Sequence, residues 1–591
     1  MKKVSDIIFD YIASLGVKHV FYLPGGGAMH LNDSLGHHEG LISVCMLHEQ
    51  PCSIAAEAYS RISEGFGVCL VTSGPGATNA ITGLAGAWLD GTPVVFLSGQ
   101  AKIADLVNGQ GIRQFGIQEI NIVDIVSPIT KYAVQVRKAE DILFELEKAT
   151  TLATEGKPGP VWLDIPLDIQ ASRVSVDELR HYDVPRTKYD CDEDDVLKTI
   201  EMLNNSERPL VLLGNGVRQA NAIPEMLELI EYLHIPVMTT WNGVDLIEDD
   251  NALFFGRPGA VGHRHSNFIQ QNADFVLTIG TRLNLLSTGY DFDSFLRKAK
   301  HVMVEIDENE MKKCSVHPSL AIHADAKSFL QIMLCKKDMI NNNPRDTWWK
   351  YCNDIKAKYP LFIPEQAPDG EGVNTYTLAN CISDKMTSED IYQFTSSGTA
   401  VDIPMYTLRF KKGQRAFTTK GLASMGFDLS ASIGSCLASS GRQTICITGD
   451  GGFMMNVQEL ATLHHLNLPV KLFILCNGGY GMIYNSQAGN FKRLTGCNVD
   501  SGLLLPDIRK VVESFDVKCF SVEHESELES VINDVFGFEG PAVCTVKVYI
   551  GQKIMPRQTN FMKPDGQMAS CPLEDMSPLL DRDEFNKNML S

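Results

Sequence analysis

The stretch from Thr444 to Tyr484 constrains the fold of this chain more than any other. A short β-branched run stops at the glycine turn Gly449-Asp450-Gly451-Gly452, a helical pattern follows, and after Pro469 a second apolar run leads into Asn477. Because strand, helix and strand in this order require a crossover, the two strands must be parallel. Asp450 and Asn477 then follow the carboxyl ends of neighbouring strands, where open α/β sheets bind their ligands.

Asp450 and Asn477 together offer oxygen ligands for a cation. A carboxylate, an amide oxygen and a carbonyl of the glycine turn, without imidazole or thiolate, suit Mg²⁺. Gly451 and Gly452 would let backbone N–H groups approach a diphosphate at the helix N-terminus. Gly-Asp-Gly alone is typical of an ordinary strand-to-helix turn, and the asparagine 27 positions later favours a cofactor site instead.

This motif resembles the cofactor signature of thiamine diphosphate (ThDP) enzymes. In that family the aspartate, the asparagine and the carbonyl two residues after the asparagine hold magnesium, which implies Asp450, Asn477 and Gly479 as metal ligands here. The family commonly has a second asparagine just before the ligand, and this chain has Cys476. The resemblance also implies cofactor contacts from the residues around these ligands: Gly449, Asp450, Gly451, Gly452, Asn477, Gly479, Tyr480 and Met482.

ThDP chemistry needs a protein carboxyl that shares a proton with the far ring nitrogen of the cofactor's aminopyrimidine. That carboxyl must be shielded from water so that it can keep or lend a proton near neutrality. The segment from His48 to Arg61 resembles the family's HEQ…AAEGYAR motif, and Glu49 matches its catalytic glutamate. An isolated glutamate at this position would be typical of a helix start favoured by the dipole. We interpret Glu57 as structural.

Further matches to the family extend over most of the chain. LPGGG resembles a first-domain glycine loop and implies a catalytic role for Gly26, and GIRQFGIQEINIVDIVSPITKYA resembles a segment that places Gln118 in the reaction chamber. GLASMGFDLSASIG implies that Met425 props the cofactor into its bent shape, although a core methionine fits the same pattern. Gly398 matches a glycine near the diphosphate, and Thr399 is expected beside it, where acetolactate synthases often have Gln-His.

The alternation of strand and helix patterns predicts an α/β fold with doubly wound parallel sheets. With the resemblance, it implies three Rossmann-like domains. We expect an N-terminal pyrimidine-binding domain at 1–180, a central Rossmann-like domain at 190–340 and a C-terminal diphosphate- and Mg²⁺-binding domain at 370–550. Residues 551–591 are expected to form an ordered tail over the active site, with a disordered end as the alternative. Its expected apolar anchors are Ile554, Phe561, Met562, Leu573 and Leu579.

Composition limits the classes of function. The 591 residues are 44% hydrophobic and 21% charged, as in soluble globular proteins. The net charge of −20 disfavours nonspecific nucleic-acid binding, and no apolar run reaches the roughly 18 residues of a membrane span. Fifteen cysteines without any C-x-x-C pair are typical of free thiols in a reducing compartment, so we expect a cytoplasmic protein.

The closest resemblance within the family is to acetolactate synthases and pyruvate oxidases. It implies a carboligase or decarboxylase that forms an acyl carbanion from a 2-oxo acid such as pyruvate and transfers it to a carbonyl acceptor. Leu286 stands where acetolactate synthases have an arginine that binds the acceptor's carboxylate, and Ser486 stands where they have a tryptophan. Leucine makes no such contact, which favours a larger acceptor such as a keto-sugar. The alternatives are a true acetolactate synthase, a ThDP-dependent lyase or hydrolase acting on a diketone, and an inactive regulatory protein.

The expected cofactors are ThDP and Mg²⁺. True acetolactate synthases hold FAD in the central domain, but the Gly-Asn-Gly and Gly-Thr-Arg turns of this chain are equally typical of any Rossmann-like domain, so the sequence leaves FAD open. The resemblance also implies a homodimer or homotetramer in which Glu49 of one copy meets Asp450 of another at the dimer interface.

Overall fold

A computed structural model describes residues 1–341, 343–361 and 372–590. The chain forms two compact units. Within the described residues, the first joins Met1–Thr187, Glu389–Val401 and Thr418–Ile550, and the second joins Lys188–Ser388, Asp402–Phe417 and Gly551–Ser591. The predicted domain start at residue 370 and the predicted tail end at residue 591 lie outside the described residues. The domain boundaries stay predictions.

The N-terminal sheet is parallel, and its three middle strands are buried along their whole length, as expected for a sheet covered on both faces. Across the sheet the strands are Ile42–Cys45, His19–Tyr22, Gly67–Val71, Val94–Gln100, Val161–Pro166 and Tyr132–Gln135. Lys2–Lys3 pairs separately with Arg173–Val174 in antiparallel fashion. The helices are Val4–Ser14, Met29–His37, Glu49–Ser63, Pro75–Asn79, Ile81–Asp90, Ile122–Val126, Ile142–Thr154 and Leu167–Ala171.

The central sheet, in the second unit, is also parallel and is built from short runs of Val, Ile and Leu. Across the sheet the strands are Val237–Thr239, Pro209–Leu213, Phe275–Ile279, Lys300–Glu305 and Leu320–His323. The helices of this unit are Glu193–Asn204, Gly216–Gln219, Ile223–Leu233, Arg264–Asn272, Leu285–Thr288, Glu308–Met311, Ala326–Cys335, Asp346–Lys358 and Thr375–Lys385, with Arg582–Asn588 in the tail.

The C-terminal sheet of the first unit contains the stretch with which the sequence analysis began. Across it the parallel strands are Ile391–Gln393, Thr444–Gly449, Val470–Cys476, Ala542–Lys547 and Lys518–Val522. The helices that accompany it are Phe427–Ala438, Asp450–Phe453, Leu460–His465, Gly481–Asn490, Ile508–Glu513 and Leu528–Gly537. Helix Thr399–Thr407 begins in the first unit, and the strand Arg415–Phe417 belongs to the second unit. The three parallel sheets confirm the predicted fold class.

One apolar core joins the N-terminal and C-terminal sheets inside the first unit. Its centre is the crossing of helix Glu49–Ser63 with helix Phe427–Ala438, where Ala55, Ala56, Leu429 and Ile433 are buried. The two backbones approach so closely that a Cβ on Gly434 would lie 2.2 Å from the carbonyl oxygen of Ala55. Glycine is therefore required at this contact.

The helix predicted after the glycine turn is broken into pieces. Asp450–Phe453 passes into the 3₁₀ turn Met454–Glu459 and then into Leu460–His465. The kink lies at Asn456, whose backbone is not helical (φ −133°) and whose amide donates to the carbonyl of Gly426 at 2.7 Å. This side-chain bond to a distant backbone group competes with regular helix, a contact that periodicity cannot reveal.

The tail packs in the second unit through apolar side chains and through polar contacts. Of the expected apolar anchors, Ile554 and Leu573 are buried, whereas Phe561, Met562 and Leu579 are exposed. Helix Arg264–Asn272 supplies the main polar contacts: Arg264 donates to the carbonyl of Pro578 at 2.6 Å, Asn267 to that of Leu573 at 2.8 Å and Asn272 to that of Asn588 at 3.0 Å. The position of this tail over the active site stays a prediction.

Along the described residues, no helix combines the length and the apolar character needed to cross a bilayer.

Candidate active site

Asp450 is held at the point where the second strand of the C-terminal sheet gives way to a helix. Its side chain is buried, with 2% of its surface exposed. One carboxylate oxygen accepts the N–H groups of Asn477 (3.1 Å) and Gly478 (2.8 Å), and the other accepts that of Gly451 (2.7 Å). The strands Thr444–Gly449 and Val470–Cys476 thus bring Asp450 and Asn477 together, as the strand order predicted.

Burial raises the pKa of Asp450 to about 6, although the N–H groups of Gly478, Gly451 and Asn477 act to lower it. No ion pair neutralises this carboxylate among the residues that the structure describes. A buried acid without a cationic partner is costly to ionise. A bound cation would remove that cost, which is the electrostatic reason for regarding Asp450 as a metal ligand.

The turn after the neighbouring strand is equally well ordered. The amide oxygen of Asn477 accepts the N–H group of Gly479 at 3.0 Å, and Tyr480 donates its N–H to the carbonyl of Cys497 at 2.9 Å. A Cβ on Gly451 would lie 2.3 Å from the ring of Tyr480, and one on Gly479 would lie 2.0 Å from the carbonyl oxygen of Cys497. Gly451 therefore lets the two strand-end turns pack closely, and Gly479 lets the second turn pack against the backbone of Cys497.

Gly398 follows the strand Ile391–Gln393 and has φ of +79°, a conformation that favours glycine. A Cβ at this position would lie 3.8 Å from Cγ of Met482, so these two expected cofactor residues lie side by side. Thr399 begins the next helix. Met425 is half-buried just before helix Phe427–Ala438, which does not decide between a core methionine and a cofactor support.

Glu49 is the first residue of helix Glu49–Ser63, and His48 caps this helix by accepting the N–H group of Gln50 on its ring Nδ1 at 3.1 Å. The Glu49 carboxylate is 8% exposed and accepts a hydrogen bond from the amide of Asn79 at 3.0 Å. Glu57, further along the helix, pairs with buried Arg61 at 2.8 Å, as expected of a structural residue. Within one copy, no hydrogen bond or ion pair between described residues joins Glu49 to Asp450 or Asn477.

The two remaining expected residues lie in loops of the N-terminal sheet. A Cβ on Gly25 or Gly27 would collide with Thr72 or Ser73, whereas one on Gly26 would meet no atom within 4 Å. Packing within one copy thus requires the glycines on either side but does not require Gly26. Gln118 is exposed and has a left-handed backbone, with φ of +58°.

Comparisons with known proteins agree with this geometry. Three family models match the chain: the thiamine pyrophosphate enzyme N-terminal TPP binding domain at residues 2–125, the central domain at 196–333 and the C-terminal TPP binding domain at 398–546. Similar proteins include the probable acetolactate synthase large subunits of Methanococcus aeolicus (32% identical, covering 89% of this chain and 88% of that protein) and Methanocaldococcus jannaschii (30%, covering 95% of each). Another is the acetolactate synthase isozyme 1 large subunit of Escherichia coli, 28% identical over 93% of this chain and 95% of that protein. The chain belongs to the acetolactate synthase family of ThDP enzymes.

A ThDP enzyme must hold a diphosphate and a divalent cation. In this family member no group of three or more His, Cys, Asp or Glu side chains among the described residues could hold a metal. A cation at Asp450 would therefore need amide and carbonyl oxygens as its other ligands, and Asn477 and Gly479 lie at the neighbouring strand end. This oxygen set is the type that Mg²⁺ prefers, so the residues present fit the cation.

The central-domain glycines have a packing explanation that does not involve a flavin. A Cβ on Gly214 would lie 2.3 Å from the carbonyl oxygen of Gly280, and one on Gly216 would lie 2.6 Å from the Cα of Gly280. The N–H group of Gly216 also donates to the carbonyl of Gly280 at 2.8 Å. The two turns need glycine in order to touch one another, so their glycine content does not indicate FAD.

Asp428, a fully buried carboxyl near the expected diphosphate site, was not predicted from the sequence. One of its oxygens accepts hydrogen bonds from the hydroxyls of Thr448 and Thr395, and the other accepts the N–H group of Leu429 at 2.7 Å. Burial raises the pKa of Asp428. Thr448 lies at the end of one strand and Thr395 follows the end of another. Their hydrogen bonds to Asp428 therefore connect both strand ends to helix Phe427–Ala438. The only sequence feature that pointed to Asp428 is its position as an acidic residue in the first turn of a helix.

Proposed function

We propose that this protein is a ThDP- and Mg²⁺-dependent carboligase that decarboxylates a 2-oxo acid such as pyruvate and joins the remaining acyl unit to a carbonyl acceptor. The observation that carries the proposal is the buried, unpaired carboxylate of Asp450 beside Asn477 at the ends of two parallel strands. Membership of the acetolactate synthase family favours a second 2-oxo acid as the acceptor, which would make the protein an acetolactate synthase.

Thiamine diphosphate, when bound, supplies the carbon nucleophile that attacks the 2-oxo acid and stabilises negative charge after CO₂ leaves. In the proposed site Asp450, Asn477 and the carbonyl of Gly479 hold Mg²⁺. The helix that begins at Asp450 would favour the negative charge of the diphosphate at its N-terminus. Glu49 holds a proton at the far ring nitrogen of the aminopyrimidine. Asn79 keeps the Glu49 carboxylate in place through its hydrogen bond at 3.0 Å.

The direct test measures 2-acetolactate from pyruvate with ThDP and Mg²⁺ added to apo-protein, and again with EDTA present. We expect product only when both cofactors are present. Absence of any pyruvate consumption under saturating cofactors would contradict the proposal. The reaction is redox-neutral, so it requires no electrons from a flavin. A visible absorbance spectrum of the purified protein decides separately whether FAD is bound.

We also propose that the complete site forms between two copies, with Glu49 from one and Asp450 from the other. The support is that each is held by its own local hydrogen bonds and that no bond joins them within one copy. Co-expression of the inactive variants Glu49→Gln and Asp450→Asn tests this. A mixed dimer would contain one site with both defects and one intact site, so activity should return. No recovery in a purified mixed dimer would exclude a shared site.

A second candidate acceptor is a larger, uncharged carbonyl compound such as a keto-sugar. Leu286, where the family resemblance implies an arginine, favours it. Leu286 lies half-buried in helix Leu285–Thr288, and its carbonyl accepts the N–H group of Ala260 at 2.7 Å. Its side chain cannot bind a carboxylate.

Steady-state assays with pyruvate alone, and with pyruvate plus a keto-sugar, separate the two acceptors. If Leu286 lines the acceptor site, Leu286→Arg should lower KM for a 2-oxo acid acceptor. Leu285→Arg, on the exposed neighbour, serves as the control. Efficient acetolactate formation by the unaltered protein would remove the keto-sugar candidate.

A further inference from the structure

The loop of residues 101–121 joins the strand Val94–Gln100 to the helix Ile122–Val126, and its only regular element among described residues is the 3₁₀ turn Ile103–Asp105. It carries Gln118, the residue expected in the reaction chamber. Large apolar side chains of the loop are exposed: Ile112 by 48%, Phe115 by 58% and Ile117 by 91%. Leu106 is buried, but these three side chains contribute little apolar burial to the part of the loop beside Gln118.

The carboxylate of Glu119 is the centre of the loop's hydrogen bonding. Its Oε1 accepts the N–H group of Val107 at 2.6 Å, and its Oε2 accepts those of Phe115 at 3.0 Å and Gly116 at 2.9 Å. Its own carbonyl accepts the amide of Gln114 at 3.1 Å. One ionised side chain thus ties the beginning of the loop to its end, through bonds of the stronger, charge-assisted kind.

These bonds favour the ionised form of the Glu119 carboxyl. Burial acts to raise its pKa, but the three backbone N–H groups outweigh burial and hold the pKa below its usual value. The sequence analysis did not single out this residue.

The neighbours of Glu119 show what the carboxylate holds in place. Gln118 has the left-handed φ of +58°, which costs free energy for a residue other than glycine. Its carbonyl lies against Gly74, where a Cβ would be only 2.8 Å away. On the other side, the buried amide of Gln100 donates to the carbonyl of Ile120 at 3.0 Å. Gln118 is therefore fixed between anchored neighbours, and Glu119 provides the anchor on the loop side.

We propose that Glu119 is a positioning residue: its carboxylate fixes the loop so that Ile117 and Gln118 are presented to the acceptor during carbon–carbon bond formation. This inference rests on the proposed carboligase function for its catalytic consequence, but its structural part, the ordering of the loop by Glu119, can be measured without any substrate.

Substitution of glutamine gives a sharp test because an amide cannot replace this carboxylate. Both oxygens of Glu119 face N–H donors, so a glutamine must turn its NH₂ group towards one set of donors in either orientation. Glu527→Gln is the matched control. The Glu527 carboxylate also accepts backbone N–H groups in an exposed turn, from Glu523 at 2.8 Å and His524 at 3.1 Å, at another place on the first unit.

The first experiment is limited trypsin digestion of the holoenzyme, with cleavage after Arg113 in the loop followed by mass spectrometry. Charge-assisted hydrogen bonds contribute enough free energy that their loss should make cleavage about 10- to 100-fold faster in Glu119→Gln. Cleavage should stay unchanged in Glu527→Gln, and the melting temperature should be unchanged in both. Equal cleavage rates in Glu119→Gln and the unaltered enzyme would overturn the proposal.

The second experiment measures how pyruvate turnover divides between the carboligation product and released aldehyde. If Glu119 positions the acceptor residues, Glu119→Gln should lose carboligation by about 10- to 100-fold while aldehyde release and ThDP affinity are kept. Equal losses of both products would indicate a merely structural role and overturn the proposal. An unaltered enzyme that makes no carboligation product would refute the proposed function instead, and trypsin digestion would then decide the role of Glu119 in the loop.

Discussion

The N-terminal and C-terminal sheets of the first unit share a strand arrangement but carry different chemistry. In each sheet, the strand that comes last in sequence (Val161–Pro166 or Ala542–Lys547) lies between the longest strand of the sheet and an edge strand. The edge strand comes earlier in the sequence. In the C-terminal sheet, Asp450 and Asn477 follow two neighbouring strands. The strand of the N-terminal sheet that corresponds to Thr444–Gly449 is Gly67–Val71, and Thr72 follows it. The N-terminal sheet instead presents Glu49. The strand arrangement is the same in both sheets, and the two sheets differ in the residues that follow their strands.

This division of roles predicts that each sheet can lose its function separately. Glu49→Gln should lower kcat by about 10²- to 10⁴-fold because general acid–base catalysis is lost. ThDP affinity should be retained, since the groups that we propose to hold the diphosphate and the cation belong to the other sheet. Pyruvate turnover and a cofactor titration by tryptophan fluorescence measure the two effects. Exposed Glu39→Gln is the control, and an unchanged kcat in Glu49→Gln would refute the assignment.

The reciprocal variant, Asp450→Asn, should act on cofactor binding. Removing one partner of a buried charge pair costs about 3–5 kcal/mol, so Mg²⁺-dependent ThDP affinity should fall by about 10²- to 10⁴-fold. Isothermal titration with ThDP at fixed Mg²⁺ measures this change. Asp500→Asn, on an exposed residue of the same domain, should bind normally. Equal affinity in Asp450→Asn and the unaltered protein would mean that the cation lies elsewhere.

The joint between the two sheets should be sensitive to a single methyl group. Gly434→Ala places a Cβ 2.2 Å from the carbonyl oxygen of Ala55. Relieving this clash requires the two helices to shift, so the free energy of unfolding should fall by about 3 kcal/mol. Thermal unfolding followed by circular dichroism provides the measurement. Gly489→Ala, where no atom lies within 4 Å, should melt at the same temperature as the unaltered protein or slightly above it. An unchanged melting temperature in Gly434→Ala would show that the helices can separate at little cost.

The N-terminal sheet differs from its counterpart in having a buried acid, Asp164, in its last strand, where the other sheet has Thr545. Burial raises the pKa of Asp164 to about 6, against the hydrogen bonds from Gln135, Ser98 and Gln100 that act to lower it. The folded state therefore holds this proton more tightly than the unfolded state. The resulting stabilisation is complete below about pH 4 and is lost as the pH rises to about 6.

In Asp164→Asn this dependence should disappear. The difference in stability between the variant and the unaltered protein should change by roughly 2–3 kcal/mol between pH 4 and 6 and stay constant above pH 7. Melting temperatures over this pH range provide the measurement. A difference that does not vary with pH would show that Asp164 titrates normally.

The sequence predicted the parts of the candidate site that follow from strand order. It did not predict those that depend on side-chain hydrogen bonds. Asp450 and Asn477 could be placed together because parallel strands align their carboxyl ends, and that rule needs no side-chain detail. Glu49 could be placed at a helix start for a similar reason. Asp428 could not be found, because its importance lies in Thr395 and Thr448, which are distant in the chain. The same holds for Glu119, whose three donors lie 3 to 12 residues away along an irregular loop.

The tail shows the limit of reasoning from hydrophobicity. Apolar anchors were expected, and Leu573 is buried, but Met562 and Leu579 are exposed. Leu580, Phe585, Met589 and Leu590 pack against the core of this unit, and Arg264, Asn267 and other polar side chains of one buried helix donate to tail carbonyls. A polar helix is normally expected at the surface. Only the folded chain shows that a second segment covers it and satisfies its donors.

The sequence by itself determined the three parallel sheets, the proximity of Asp450 to Asn477 and the family, because periodicity and strand-end residues are local properties that can be read without knowledge of contacts. Tertiary structure alone decided the close crossing at Gly434, the buried ties through Asp428 and the carboxylate-centred loop at Glu119. Those features depend on which atoms meet across long separations in the chain, and packing at native density fixes such meetings.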